Sequence, residues 1–174
     1  FKHWEKFECC WKAGHFHINR IWEVRVDPVR FAPLELDSSE QYDLLPLFEG
    51  NRLLDSWPNL SGQPQSGLPV GDFMYLSPGA IVGNQRGVNC FRQSVSSKIE
   101  ILEVSVRGSQ WFLINCLEIY DCLDQKKSSI TRFRNSSRVM KFENLHLLGS
   151  HIGPGAIFKI PELARTNIFC KSQV

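Results

Sequence analysis

Alternation of apolar and polar residues is strongest in the second half of the chain and predicts strands there. Residues 98–106 (KIEILEVSV) and 110–120 (QWFLINCLEIY) are rich in β-branched and aromatic side chains. The short segment RGS between them favours a hairpin. Both alternating faces of the second run are largely apolar, which is typical of a strand that is covered on both sides. We therefore expect residues 110–120 to form a central strand of a sheet.

Shorter runs predict further strands on either side of this hairpin. Four short candidates follow it, at residues 130–133, 138–142, 157–160 and 167–170. Before it, residues 16–26 alternate in the manner of a half-buried strand, and Trp4, Phe7 and Trp11 recur at helical spacing. No pattern repeats at a fixed period, so a solenoid or a propeller is not expected.

The middle of the chain is predicted to be less regular. Apolar positions between residues 38 and 54 favour helix, but Pro46 and Gly50 interrupt it, so two short helices are expected. Residues 58–72 (PNLSGQPQSGLPVGD) are dense in proline, glycine and serine and predict an irregular surface loop. The predicted fold class is α+β, with a mainly antiparallel sheet and a few short helices in a single domain over residues 1–174.

Length and composition are those of an ordinary globular protein. The chain has 174 residues, of which 43% are hydrophobic and 22% charged, and a net charge of +2. No apolar run approaches the roughly 20 residues of a membrane helix. We expect a soluble, cytoplasmic protein with no membrane partner. Its six cysteines are scattered along a long chain and are predicted to be reduced thiols.

Histidines and cysteines near the N-terminus raise the possibility of a metal site. His3, Cys9, Cys10, His15 and His17 lie within one short segment, and thiolate and imidazole are the usual zinc ligands. Structural zinc sites generally use two separated ligand pairs, whereas adjacent Cys9 and Cys10 would point to different faces of a helix. We favour a buried thiol pair with solvent-facing histidines, and we expect no metal.

A cluster of carboxylates after the central strand permits two interpretations. Glu118, Asp121 and Asp124 stand near Lys126 and Lys127 and could serve a small hydrolase or a metal-dependent enzyme. Alternatively, the aspartates satisfy backbone amides in the turn that ends the strand. We favour the turn, because no second carboxylate segment stands out as a partner. A phosphate-binding glycine loop, an HExxH motif and a GxSxG motif are all missing from the sequence, so no enzyme and no cofactor are expected.

Charge is distributed unevenly along the chain. Between residues 35 and 55 there are six acids against one base, a balance of −5, whereas residues 86–141 carry ten bases against five acids, or +5. An acidic face can steer a protein towards a basic partner, although a charged run is more often only a solvated surface. The basic part lacks aromatics arranged for base stacking, so no direct nucleic-acid contact is expected. The acids that are candidates for binding a partner are Glu35, Asp37, Glu40, Asp43, Glu49 and Asp55.

Three segments carry a resemblance to a known family. They are residues 111–128 (WFLINCLEIYDCLDQKKS), 156–163 (AIFKIPEL) and 167–170 (NIFC). Together they resemble immunity protein family eleven of bacterial polymorphic toxin systems, a Myxococcus-type family. Lys159 stands where the family pattern has arginine. The matching positions are Asn115, Asp121, Asp124, Ser128, Ile157, Phe158, Pro161, Ile168 and Phe169.

This resemblance implies a function and a division of the chain. Members of such a family bind and neutralise a toxin that is encoded beside them, often a nuclease, by covering its active surface. The resemblance is good from about residue 72 onward, so residues 72–174 are expected to form the family-like sheet region. The matched residues would then be scaffold. Contacts with the cognate toxin are expected from the variable part, residues 1–71, which contains the acidic segment.

Overall fold

The computed structural model describes residues 21–39, 43, 48–94, 98–134, 139–153 and 157–171. These residues are rich in strands and contain one α-helix, α1 (Gln85–Ser94). The predicted α+β class, with a mainly antiparallel sheet, is confirmed in this coarse form. The strands are β1 (Ile21–Val24), β2 (Leu34–Leu36), β3 (Leu60–Pro64), β4 (Phe73–Ser77), β5 (Ala80–Gly83), β6 (Ile99–Val106), β7 (Ser109–Cys116), β8 (Ser129–Arg132), β9 (Val139–Asn144), β10 (Ile157–Phe158) and β11 (Ile168–Lys171).

A six-stranded sheet in the order β2-β3-β6-β7-β5-β4 forms the main body. Strands β3 and β6 pair in parallel, and the other neighbouring pairs are antiparallel. The predicted hairpin is confirmed as β6 and β7, which are joined by Arg107 and Gly108. Strand β7 lies between β6 and β5, so the prediction of a central strand is also confirmed, although the strand ends at Cys116 and not at Tyr120.

The main sheet curls towards a barrel, because its two edge strands, β2 and β4, come close to each other. The first core cluster contains apolar side chains from all six strands. Leu113 of β7, Leu102 of β6 and Leu34 of β2 are among its most buried members. Phe48 and Leu53, which lie outside the strands, belong to the same cluster. The segment that carries them therefore closes off part of this core.

The other face of β7 contributes to a second core cluster. Ile114 and Cys116 pack there with Ile157 of β10, Ile168 of β11 and Val88 of α1. A three-stranded sheet, in the order β1-β11-β10, supplies much of this layer. Because Leu113 and Ile114 enter different clusters, β7 is covered on both faces, as its sequence predicts.

A third cluster and a two-stranded ribbon complete the described structure. Cys122, Ile152, Phe158, Ile160 and Phe169 form the third cluster. Strands β8 and β9 pair only with each other among the described strands.

The interpretation of residues 58–72 as an irregular loop is wrong in part. Leu60–Pro64 form β3, an interior strand between β2 and β6. Leu60, Gly62 and Pro64 are buried, whereas the residues between them are not. Glycine and proline give this segment little intrinsic strand preference. Pairing with two neighbouring strands nevertheless imposes the extended conformation.

Helix α1 was not anticipated. The side-chain oxygen of Asn84 accepts a hydrogen bond from the Gly87 amide at 2.8 Å and so caps the helix. Val88 and Phe91 pack against the second cluster. The intrinsic signal is weak, because Gly87 lies in the first turn of the helix and glycine disfavours helix.

Other predictions fall partly or wholly outside the described residues. The N-terminal helix, with Trp4, Phe7 and Trp11, lies outside them, as do residues 16–20 of the first predicted strand. The rest of that strand contains β1, Ile21–Val24. Residues 40–42 and 44–47 of the two short helices predicted between residues 38 and 54 also lie outside. The prediction of a helix after Pro46 is not confirmed, because residues 48–50 form a turn, residues 51–53 are irregular and Leu54–Ser56 form a short 3-10 helix. The four short C-terminal strands correspond to β8, β9, β10 and β11 within a few residues.

Four of the six cysteines lie within the described residues, and the lengths of the described helices can be compared with the thickness of a membrane. Cys90, Cys116, Cys122 and Cys170 are thiols, whereas Cys9 and Cys10 fall outside the described residues. In the part of the chain that the structure describes, no helix has both the length and the apolar character needed to cross a bilayer.

Close contact between β2 and β3 predicts that Gly62 tolerates no side chain. A Cβ atom at this position would clash with the backbone carbonyl oxygen of Glu35. We expect Gly62→Ala to lower the free energy of unfolding by about 1–3 kcal/mol, the usual cost of overpacking. Chemical denaturation measures this difference. Gly149→Ala is the control, because nothing lies within 4 Å of the added methyl group. Equal stability of the two variants would contradict the close approach of β2 and β3.

Candidate functional site

Residues 48–57, which we call the strap, cross one end of the main sheet and connect the acidic segment to the core. Phe48 and Leu53 are 1% and 6% exposed, and their side chains anchor the strap in the first core cluster. Trp57 packs edge-on against Phe48, with ring centroids 5.9 Å apart. Gly50 has a positive φ of 84°, which allows the chain to turn between the two anchors. The strap is thus held by apolar contacts, and its polar backbone atoms also need partners.

A cross-strand pair at the end of β6 and β7 supplies some of these partners. Asn115 is directly opposite Glu100 and is fully buried. Its Nδ2 donates hydrogen bonds to the carbonyl oxygen of Asn51, at 2.9 Å, and to Oε2 of Glu100, at 3.0 Å. The same Oε2 accepts a hydrogen bond from the Leu53 amide at 2.8 Å. Two side chains of the sheet thereby bind two backbone groups of the strap.

Lys159, which lies far C-terminal to the strap in the sequence, binds the first residue of the strap. It follows β10, and its side chain is fully buried although it is cationic. Its Nζ donates a hydrogen bond to the carbonyl oxygen of Phe48. The backbone amide of Lys159 also donates a hydrogen bond to the Glu118 carbonyl at 2.8 Å, and its carbonyl accepts one from the Tyr120 amide at 2.9 Å. The segment that leaves β7 therefore positions this lysine.

Two further contacts complete the attachment of the strap. Arg165 forms an ion pair with Glu49, and this hydrogen bond lowers the pKa of the Glu49 carboxyl. The Nε1 of Trp57 donates a hydrogen bond to the carbonyl oxygen of Glu103 on β6 at 2.7 Å. The first residues of the strap are consequently tied to Lys159 and Arg165 of the C-terminal part, and its middle and end are tied to the main sheet.

Burial dominates the electrostatics beneath the strap. Desolvation lowers the pKa of Lys159 to about 8, and nearby Cys116 and Glu49 oppose that shift. Desolvation also raises the pKa of the Cys116 thiol to about 11. Cys116 is thus a poor nucleophile at neutral pH, because nucleophilic attack requires the thiolate. The arrangement is suited to holding a backbone segment in place.

Most of the acids that the sequence singles out for partner binding are exposed. Glu35 lies on β2 between buried Leu34 and Leu36, and Asp37 follows the strand. The side chains of Asp43 and Asp55 are exposed as well. Glu49 differs, because it is half-buried and paired with Arg165. Glu40 lies outside the described residues.

The carboxylates after the central strand have separate local roles. Oδ1 of Asp124 accepts hydrogen bonds from the amides of Lys126 and Lys127, at 3.1 and 3.2 Å, as the turn interpretation predicts. Glu118 accepts a hydrogen bond from the Tyr120 hydroxyl at 2.9 Å, and the side chain of Asp121 is exposed. Within the described ranges, no three His, Cys, Asp or Glu residues are grouped so that they could hold a metal ion.

The other residues of the family-like pattern occupy structural positions. The Ser128 hydroxyl donates to the His146 carbonyl at 3.2 Å and accepts from the His146 amide at 3.0 Å. Phe158 is fully buried between the rings of Tyr120 and Phe169. Pro161 begins the 3-10 helix Pro161–Leu163. Each of these side chains thus has a local structural role.

Sequence reasoning missed most of the groups that hold the strap. Glu100, Lys159 and Arg165 were not singled out for this role, and Asn115 was expected only to be scaffold. One signal was present, because Asn115 and Lys159 are polar residues within strongly apolar runs. A buried polar group of this kind needs a partner, but the sequence does not show which one.

Comparisons with known proteins add no family assignment. No protein-family model matches the chain. No curated protein matches it either. The resemblance described above therefore depends on the quoted segments alone.

Asn115 is predicted to stabilise the strap and the whole fold together. We expect Asn115→Ala to lower the free energy of unfolding by about 1–3 kcal/mol, because Asn51 and Glu100 lose a buried donor. Hydrogen exchange of the Leu53 amide should accelerate at the same time. Denaturation and exchange measurements test both effects, with Asn89→Ala on the exposed face of α1 as the control. Unchanged exchange at Leu53 would contradict the anchoring role.

Burial of Lys159 predicts a characteristic dependence of stability on pH. Its pKa is about 8 in the folded protein and about 10.5 when unfolded, so the unfolded state binds more protons between these values. The contribution of Lys159 to the free energy of unfolding therefore rises as the pH increases from about 8 towards 10.5. From pH 7 to 9, wild type should gain about 1 kcal/mol relative to Lys159→Met. Urea unfolding at both pH values measures the gain.

Other titrating groups do not disturb the comparison of wild type with Lys159→Met, and a control variant is at hand. The buried thiols Cys116 and Cys122, whose pKa values are raised to about 11, oppose the trend above pH 9, but both proteins contain them. Lys98→Met removes an exposed lysine and should follow wild type at both pH values. If wild type and Lys159→Met showed the same pH dependence, Lys159 would not be buried as a titrating group.

Proposed function

We propose that this chain is an immunity-type protein that binds a cognate toxin in the cytoplasm and neutralises it by covering its active surface. The proposed contact is the acidic surface, which we define by the exposed residues Glu35, Asp37, Asp43 and Asp55. The target on the toxin would be a basic cleft, such as that of a nuclease. The observation that carries the proposal is the attachment of the strap to the sheet.

The attachment matters because binding costs less when a surface is ordered beforehand. Ordering a loop on binding reduces affinity, whereas a rigid loop avoids that cost. The strap is fixed by buried groups at Phe48, Asn51 and Leu53, and Asp55 lies on it. Glu35 lies on a strand of the same sheet. A fixed set of carboxylates is thus available to a partner of opposite charge.

The charge on this surface is mostly unbalanced. Arg165 neutralises Glu49, so Glu49 contributes less than the sequence suggests. Arg52 is the basic residue among positions 35–55. Clustered charge of one sign accelerates association with an oppositely charged partner and selects against like-charged ones. This property suits a protein that must capture a toxin quickly.

The resemblance and the fold support the same division of labour. Asn115, a matched residue, is also the side chain that binds the strap. A family could keep such a scaffold while the exposed acids vary with the toxin. In this proposal, residues of the 72–174 region hold the strap in place, and residues of the 1–71 region contact the toxin.

A direct test uses the protein encoded by the adjacent gene as the partner. The purified chain should bind it with a Kd below 1 µM, and co-expression should restore growth of cells that produce it. Calorimetry and growth curves measure the two effects. If no complex forms at micromolar concentrations and growth is not rescued, the proposed function is wrong.

Charge reversal should locate the contact. We expect the double variant Glu35→Lys/Asp55→Lys to slow association by about tenfold or more and to weaken its salt dependence, because steering is lost. Stopped-flow measurements at several ionic strengths give both quantities. Glu143→Lys reverses a single charge at an exposed site on β9, and the kinetics of this control should match wild type. Equal kinetics for all three proteins would exclude the acidic surface from the interface.

A further inference from the structure

The ribbon formed by β8 and β9 is separate from the core of the protein. We define the basic ribbon as residues 126–134 and 139–144. None of these described residues belongs to the three core clusters, and none is buried. Its most sheltered cross-strand pair, Ile130 opposite Phe142, is only half-buried. Two-stranded ribbons are marginally stable in water without a covering surface. Contact with another molecule would supply such a surface.

Cationic side chains cover this ribbon. Five of them are exposed, whereas Glu143 is the one acid within its described residues. Lys141 and Glu143 approach only to 3.9 Å, as do Lys127 and Asp124. An exposed ion pair at such a distance is weak, so a phosphate group can replace the carboxylate as the partner of the lysine. The five cations are Lys126, Lys127, Arg132, Arg134 and Lys141.

Two large apolar side chains are exposed among these cations. Phe133 is 48% exposed and Met140 is 54% exposed. Phe133 lies between Arg132 and Arg134 in the chain. An exposed aromatic ring can contact bases or sugars while cations of the same ribbon bind phosphate. The expectation of no nucleic-acid contact depended on the lack of aromatics placed for this purpose, and the ribbon provides one.

We propose that the basic ribbon binds double-stranded DNA, mainly through the phosphate backbone. The major groove of B-DNA is wide enough to admit a two-stranded β-ribbon, and several DNA-binding proteins dock strands in this way. Charge complementarity favours a polyanion, and a two-stranded ribbon suits a groove of the duplex. The proposal is independent of the acidic surface, whose residues all lie between positions 35 and 55.

Fluorescence anisotropy with a labelled 24-base-pair duplex tests this proposal on the full chain. At 50 mM salt we expect a Kd of about 1–10 µM that weakens steeply as salt rises, because each neutralised phosphate adds about 0.9 to the slope of log K against log salt. Arg134→Gln/Lys141→Gln should weaken binding by about tenfold or more and reduce the slope by about 2. Glu143→Gln should tighten it.

Controls distinguish binding by the ribbon from non-specific electrostatic binding and from unfolding of the variants. Arg25→Gln/Arg52→Gln removes two exposed cations elsewhere and should leave the affinity unchanged. Thermal unfolding of each variant should match wild type, since the substituted side chains are exposed. Polyglutamate should fail to compete with the duplex at equal charge.

Three results would overturn the proposal. They are a wild-type Kd above 1 mM at 50 mM salt, equal losses in the ribbon and control variants, or competition by polyglutamate as strong as that by unlabelled duplex. Binding to the toxin is measured separately and does not depend on these residues. The two proposals can therefore fail independently.

Discussion

The position of the strap is set by hydrogen bonds between its backbone and three side chains, two of which are fully buried. The strap closes one end of the curled main sheet, and its carbonyl and amide groups would otherwise be buried without partners. Asn115, Glu100 and Lys159 meet this need from three different segments. Because each of them binds a backbone group, the strap and Asp55, which lies on it, have a defined position relative to the sheet.

A buried lysine is an expensive way to hold a carbonyl group, since desolvation opposes its charge. The lowered pKa of Lys159 expresses that cost. Its benefit is specificity: the Lys159 backbone also bonds to Glu118 and Tyr120, so a single residue links the exit of β7, the second sheet and the strap. The chain also separates its charge, with six acids between residues 35 and 55 and cations on the basic ribbon. The two proposed partners, a basic protein and DNA, follow from that separation.

Strongly patterned elements could be predicted, and weakly patterned ones could not. The β6–β7 hairpin and the central position of β7 followed from β-branched and aromatic runs that are apolar on both faces. The turn role of Asp124 followed from its place directly after a strand. Strand β3 was mistaken for a loop because Gly62 and Pro64 disfavour strands, and α1 was missed because Gly87 weakens its helical signal. In both cases packing overrides local preference.

Residues that are close together in the chain were enough to predict the strand-rich class, the central strand and the unequal distribution of charge. The tertiary structure was needed to identify the backbone atoms that the buried Asn115 and Lys159 bind, since their partners are 64 and 111 residues away. It also decided that Glu49 is paired with Arg165, whereas Asp55 stays exposed. Hydrogen bonds and ion pairs act over a few ångströms, so their partners are set by how distant segments pack.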